Sequence, residues 1–138
     1  MPTDYIMRMI EEFFRIIRNI MMKRENGQYE MAREGLGNLS RMITGLGIDQ
    51  LKSLGEDGVK YFFNLSKPED IEKIFCAGKM FKEDALINEA EGKFDDTIRS
   101  YEFSLSMFEL IKDKNTEDKT EIQNEISNIK NILQSMAG

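Results

Sequence analysis

Apolar residues recur along most of this chain at spacings of three and four, the period of a helix packed on one face. Over residues 4–24, steps of about 100° gather Tyr5, Ile6, Met7, Met9, Ile10, Phe13, Phe14, Ile16, Ile17, Ile20 and Met21 into an arc of roughly 200°. An ordinary surface helix needs an apolar stripe only a little over about 100° wide. This helix therefore calls for more than one neighbour, or for a partner chain. Asn26-Gly27 breaks it, because glycine accepts the left-handed backbone past a helix end. A second helix over 28–44 follows from Met31, Leu36, Leu39, Met42 and Ile43, and Gly45 and Gly47 end it.

Residues 48–65 form a compact middle segment. Ile48, Leu51 and Leu54 predict one short helix, and Val59 to Leu65 predict another. Tyr61-Phe62-Phe63 reads equally as core or as contact surface. Ser66-Lys67-Pro68-Glu69 has the pattern of a capping box, with proline in the first turn. The helix it opens is expected to reach about residue 91, with Ile71, Ile74, Phe75, Gly78, Phe81 and Ala85 on one face. Gly92 breaks it. Phe94, Ile98, Tyr101, Leu105 and Phe108 predict a helix over 94–112. Thr116 is placed to cap a last helix over 117–135. Its narrow stripe of Ile122, Ile126, Ile129, Leu133 and Met136 suits a covering element.

The segment from Ile74 to Leu110 resembles a tetratricopeptide-type hairpin. Ile74, Gly78 and Phe81 match the family's large, small, aromatic order on the first helix. Gly92-Lys93-Phe94 matches its turn, and Thr97, Tyr101 and Ser104 match small, aromatic, small on the second. The family's repeat is about 34 residues. The stretch from Gly78 to Thr97 is about seven residues longer, close to two helical turns, so the faces stay in phase. The family's terminal proline is missing. Gly27-Gln28-Tyr29 and Ala32 echo Gly92-Lys93-Phe94 and Thr97 at an offset of 65 residues. The opening Asp4-Tyr5-Ile6-Met7-Arg8-Met9-Ile10-Glu11 looks like the start of a group of small tetratricopeptide-like proteins of Gram-positive bacteria. That resemblance implies a helical-hairpin fold and brings no activity and no site residues.

Composition narrows the function classes. The chain has 138 residues and fits one domain, 1–138. It has no histidine, which removes Ser-His-Asp and Cys-His catalysis and most zinc chemistry. One cysteine allows no internal disulfide and no Cys-rich metal site. The net charge of −6 argues against nucleic acid, whose binding relies on phosphate neutralisation. Residues 1–24 carry a net charge of +2 and the remainder −8. The N-terminus lacks the pattern of a secretory signal, and no apolar run approaches a spanning helix, so a cytoplasmic location is expected.

The candidate chemistry is thin. Ser127-Asn128-Ile129-Lys130 matches Ser-x-x-Lys, but the motifs that accompany it in penicillin-binding enzymes are absent. Cys76 has no general base to activate it and reads as a packed thiol. Glu83, Asp84, Glu89, Glu91, Asp95 and Asp96 crowd the second hairpin turn without the spacing of a calcium loop. Gly35-Leu36-Gly37 and Gly45-Leu46-Gly47 follow no strand, so they read as flexible helix ends rather than dinucleotide loops. No catalytic residue, no cofactor and no metal site is expected.

The first helix exceeds what a surface helix needs. Five methionines among the first 22 residues make adaptable apolar surface. Three readings stay open: a buried central helix, a surface for a homodimer or another partner, and a basic amphipathic helix on an anionic membrane. The last is the least favoured. The candidate interface residues are Ile6, Ile10, Phe13, Phe14, Ile17 and Met21. The expectation is an all-α domain of five to seven helices, stacked as antiparallel hairpins with a C-terminal covering helix. Its expected function is a non-enzymatic interaction or scaffold module for a protein or peptide partner. The alternative is a structural protein that self-associates through its N-terminal helix.

Overall fold

The computed structural model describes residues 4–65, 67–114 and 116–137. Among them there are seven α-helices and no strand. They are α1 (Asp4–Glu25), α2 (Tyr29–Thr44), α3 (Ile48–Ser53), α4 (Gly55–Phe63), α5 (Pro68–Ala90), α6 (Phe94–Ile111) and α7 (Lys119–Ala137). Among the described residues no helix is long and apolar enough to cross a membrane.

The two long turns share one geometry. Gly27 and Gly92 take φ values of 78° and 76°. The N–H of Gln28 donates to the Lys23 carbonyl and that of Gly27 to the Arg24 carbonyl. Lys93 and Gly92 donate in the same way to Asn88 and Glu89. These paired bonds close the carbonyl ends of α1 and α5 by the Schellman pattern. Ala32 and Thr97, one turn into the following helices, are both fully buried. The echo at 65 residues therefore corresponds to equivalent backbone. The aromatic of the second turn behaves differently: Phe94 is 55% exposed.

Packing runs outward from α5. It touches α1, α2, α4 and α6, while α7 lies on α6. Salt bridges from Lys79 and Lys82 to Glu121 and Glu125 tie α7 to α5 as well. The wide apolar arc of α1 leaves open that α1 is the central helix; the structure gives that place to α5. Twelve residues of α5 are buried, against Ile6, Phe13, Ile17 and Ile20 on α1. A helix buried on several sides must find partners for polar groups wherever they fall. Glu83, Asp84 and Asn88 are the buried polar positions of α5.

Aromatic side chains fill the interior beside small ones. Phe81 stacks on Phe103 with ring centroids 5.0 Å apart. Phe75 meets Phe108 edge to face at 5.9 Å. Each fully buried phenylalanine contributes about 2–3 kcal/mol of burial free energy. The Phe108 ring lies directly over Gly78, where a Cβ would come within 2.7 Å of Cζ. Ser104 Oγ donates to the Gly78 carbonyl at 2.7 Å. The small residue at 78 therefore allows α5 and α6 their close approach.

Several local expectations shift. Gly35 and Gly37 lie inside a continuous α2 rather than at a helix end. Gly35 makes room for Ile20, which a Cβ there would meet at 3.1 Å. Thr116 does not cap α7 directly. Its hydroxyl accepts from the Asp118 N–H at 2.8 Å, which forms a turn just before the helix. Ser66, the proposed cap of α5, lies outside the described residues, as does Met1. The Asp70 carboxylate accepts from the Lys67 N–H at 3.1 Å at that helix start.

Candidate functional site

Two concave features among the described residues differ in their chemistry. The first is polar and sits where α2, α3, α5 and α6 meet. Behind its lining lies Asp84, which is 0% exposed and is reached by Arg33 and Lys52 of the cleft wall. Lys52 Nζ bonds Asp84 Oδ2 at 2.8 Å, and Ser100 Oγ donates to the same oxygen at 2.7 Å. Arg33 Nη1 lies 3.5 Å from Asp84 Oδ1, and its Nη2 donates to Asn88 Oδ1 at 2.9 Å and also bonds Glu91. Arg99 Nη2 donates to the Lys52 carbonyl at 3.1 Å. A cleft of about 420 Å³ opens above this network, lined among others by Arg33, Lys52, Lys93 and Arg99.

These cations are already committed to groups of the chain itself. Lys93 is 3.5 Å from Glu91, and the other three are bonded as above. The Ser100 hydroxyl is buried and donates to the Asp84 carboxylate, with Lys52 Nζ 3.4 Å away and itself bonded to that carboxylate. This arrangement is structural: a fully satisfied buried network fixes the register of four helices. Of the acidic residues around the second turn, Glu83, Asp84 and Glu91 are paired with cations in the same way. Arg24 Nε bonds Glu83 at 2.5 Å, and burial pushes the Glu83 carboxyl up against the pull of that guanidinium. Among the described residues no group of three or more acidic, cysteine or histidine side chains could hold a metal ion.

The second feature is an apolar groove of about 860 Å³ between α1, the start of α5 and the start of α7. Its apolar lining is Met7, Ile10 and Phe14 from α1 and Ile71 from α5. Phe14 is backed by Phe75, with centroids 6.3 Å apart. Glu11, Glu72, Glu117 and Asp118 line its edge, and among the described lining residues there is no lysine or arginine. Burial pushes the Glu72 carboxyl up, and the Asp118 and Glu117 charges push it further. Burial also raises Asp118, with Glu121 and Glu117 adding to it against the pull of Lys79. Lys79 gives these edge carboxylates no bonded partner, because its ammonium is bonded to Glu121 at 2.6 Å and Glu125 at 2.9 Å.

The candidate interface residues divide between core and surface. Ile6, Phe13 and Ile17 are buried within the chain, so they offer a partner nothing. Ile10 and Phe14 are half-buried in the groove wall. Met21 is exposed on the far part of α1, outside the groove. Tyr61 and Phe62 are exposed, Tyr61 to 89%, and Phe63 is core. Cys76 is fully buried, and burial, followed by the Glu72 and Asp118 charges, raises its thiol far above the reactive range. Ser127 and Lys130 are exposed on α7, where Lys130 lies 3.9 Å from Glu109.

Sequence reasoning placed Ile10 and Phe14 correctly on an apolar face but missed the other walls. Ile71 lies on the apolar face expected of α5, whereas Glu72 carries no signal of its own. Both reach the groove only because α5 passes under α1, and no local spacing encodes that crossing. No protein-family model matches this chain, and no match to it was found among curated proteins or solved structures.

Proposed function

We propose that this chain is a non-enzymatic interaction module of tetratricopeptide-like helical hairpins, and that its partner docks in the α1–α5–α7 groove. The observation that carries the reading is the apolar lining of exposed Met7 and half-buried Ile10, Phe14 and Ile71, set in a groove of about 860 Å³. A helix lying in such a groove buries apolar anchors spaced three and four residues apart. The stretch of α1 from Met7 to Phe14 is two turns long, about 10 Å, which matches two or three such anchors. The chain has no histidine and its one cysteine is buried, so the groove holds neither a thiol nor an imidazole.

A displayed library of helical peptides tests this reading, selected on the wild-type chain and screened against an Ile10→Glu, Phe14→Glu variant. Binders that lose affinity at least tenfold on the folded variant are the expected result. A selection that yields only peptides indifferent to the two substitutions refutes the groove as the docking site.

Self-association through α1 is the second reading, and the exposed Tyr5, Met7, Met21 and Met22 favour it. The groove itself opposes it. A two-fold contact would set Glu11, Glu72, Glu117 and Asp118 against their own copies.

A further inference from the structure

We infer that the occupant of the α1–α5–α7 groove is a basic amphipathic helix, with lysine or arginine flanking its apolar face. This rests on the groove being the docking site and adds the chemical class of the partner. The argument is charge complementarity around an apolar floor. Each of the three elements that form the groove brings carboxylate to its edge: Glu11 from α1, Glu72 from α5, and Glu117 and Asp118 from the approach to α7.

Lys79 pulls on Asp118, but the bonds of the neighbouring cations Arg15, Lys67, Lys79 and Lys82 go to other carboxylates. Arg15 of α1 is bonded to Glu12. Lys79 of α5 is bonded to Glu121 and Glu125 of α7, and Lys82 to Glu125. Lys67 stands 4.0 Å from Glu69, at the opening of α5. Glu72 and Asp118 are half-buried beside other carboxylates, and the fold holds their charges there at a cost. A cation laid between them relieves that cost and gains charge-assisted hydrogen bonds in a partly desolvated setting. An acidic or neutral helix gains the apolar contact but not this relief. Like-charge juxtaposition rejects the acidic one outright.

Two consequences separate this from plain hydrophobic docking. Affinity falls steeply with salt, since opposite charges at a rim act over about 8–10 Å. Affinity also falls as the pH is lowered through the raised Glu72 and Asp118 carboxyls, because protonation removes the groups that attract the cation. Protons are therefore released when the helix binds near that pH.

The test uses the full chain carrying Thr120→Cys, with a fluorophore on the introduced thiol, an exposed position just past Glu117 and Asp118. Cys76 is buried and does not compete for the label. Three synthetic peptides of about five helical turns share one leucine and phenylalanine face. They differ only in their flanks: lysine, glutamine or glutamate. The lysine peptide is expected to bind at least tenfold tighter than the glutamine peptide at low salt. That advantage should vanish in 0.5 M salt and in a Glu72→Gln, Glu117→Gln, Asp118→Asn variant that circular dichroism shows to be folded. Equal affinity of the lysine and glutamine peptides overturns the charge inference and leaves groove docking standing. Failure of all three to perturb the fluorophore, or binding unaffected by Ile10→Gln, overturns both.

Discussion

Gly78 shows how much a single position decides. A methyl group there would meet three atoms of the Phe108 ring at 2.7–2.9 Å, closer than real contacts allow. The ring is packed edge to face on Phe75 and cannot swing away freely. Gly78→Ala should destabilise by about 2 kcal/mol through overpacking. Phe108→Leu should recover part of that loss in the double variant, and urea denaturation of the four proteins measures the coupling. Strict additivity would mean that the ring is not the obstacle. Two carboxylates make a contrasting pair. Glu125 accepts from Lys82 at 2.6 Å and Lys79 at 2.9 Å, and these bonds outweigh burial to hold its carboxyl below the ordinary value. Glu72 has only repulsion and burial. Glu125→Gln should lower stability at neutral pH by about 1–2 kcal/mol, whereas Glu72→Gln should leave it unchanged or raise it by about 0.5 kcal/mol. A residue whose removal stabilises the fold but weakens a basic peptide's binding is the mark of a docking group. Loss of stability in Glu72→Gln would count against that role. The small-residue signal at Gly78, Thr97 and Ser104 was legible because small residues at helical spacing report close packing directly. The opposite behaviour of Glu72 and Glu125 was not, since it depends on which cations α5 turns towards α7.

At the scale of elements, the helix boundaries followed from apolar spacing and from Gly27, Gly45 and Gly92, each with positive φ in the structure. The identity of the central helix did not follow. The buried face of α5 includes Glu83, Asp84 and Asn88, which dilute its apolar pattern. Their burial becomes tolerable only through Arg24 of α1, Arg33 of α2 and Lys52 of α3, partners no local window contains. Asp84→Asn should therefore destabilise by about 3 kcal/mol, because it leaves Lys52 without its buried counter-charge. Loss of less than about 1 kcal/mol in chemical denaturation would show that the network does not bind the helices together. The attachment of α7 has its own pH dependence. The Glu125 carboxyl is held low, so its contribution is present above the ordinary glutamate value and is lost as pH falls through the lower folded value. Burial opposes the Lys79 ammonium, but Glu121 and Glu125 hold it above the ordinary lysine value. Its contribution is present below that value and lost as pH rises through the higher folded one. Amide exchange in α7 should accelerate ahead of the rest of the chain at the acid end. Uniform exchange across α5, α6 and α7 would show that α7 is not an independently released cover.

For the whole molecule, the decisive question is what covers the groove. The surplus apolar surface of α1 divides in the fold: Ile6, Phe13 and Ile17 close the interior, while Met7, Ile10 and Phe14 face the groove. If the groove accepts a foreign basic helix, the chain alone should remain monomeric at 16.0 kDa. Its net charge of −6 and the carboxylates at the groove edge both oppose a second copy there. Light scattering from micromolar to hundreds of micromolar concentration should give one mass, unchanged in 0.5 M salt. The Ile10→Glu, Phe14→Glu variant should stay folded, because both side chains are only half-buried, at a cost of about 1–3 kcal/mol for the lost packing. A wild-type dimer that this variant converts to a folded monomer would assign the groove to self-association and displace the foreign-helix reading. A dimer that survives the variant would place self-association on another surface, with Met21, Met22 and Tyr61 as the exposed apolar residues to test. A monomer that holds its mass at every concentration leaves the apolar lining and its acidic edge open to a foreign partner, the arrangement that the proposed basic helix requires.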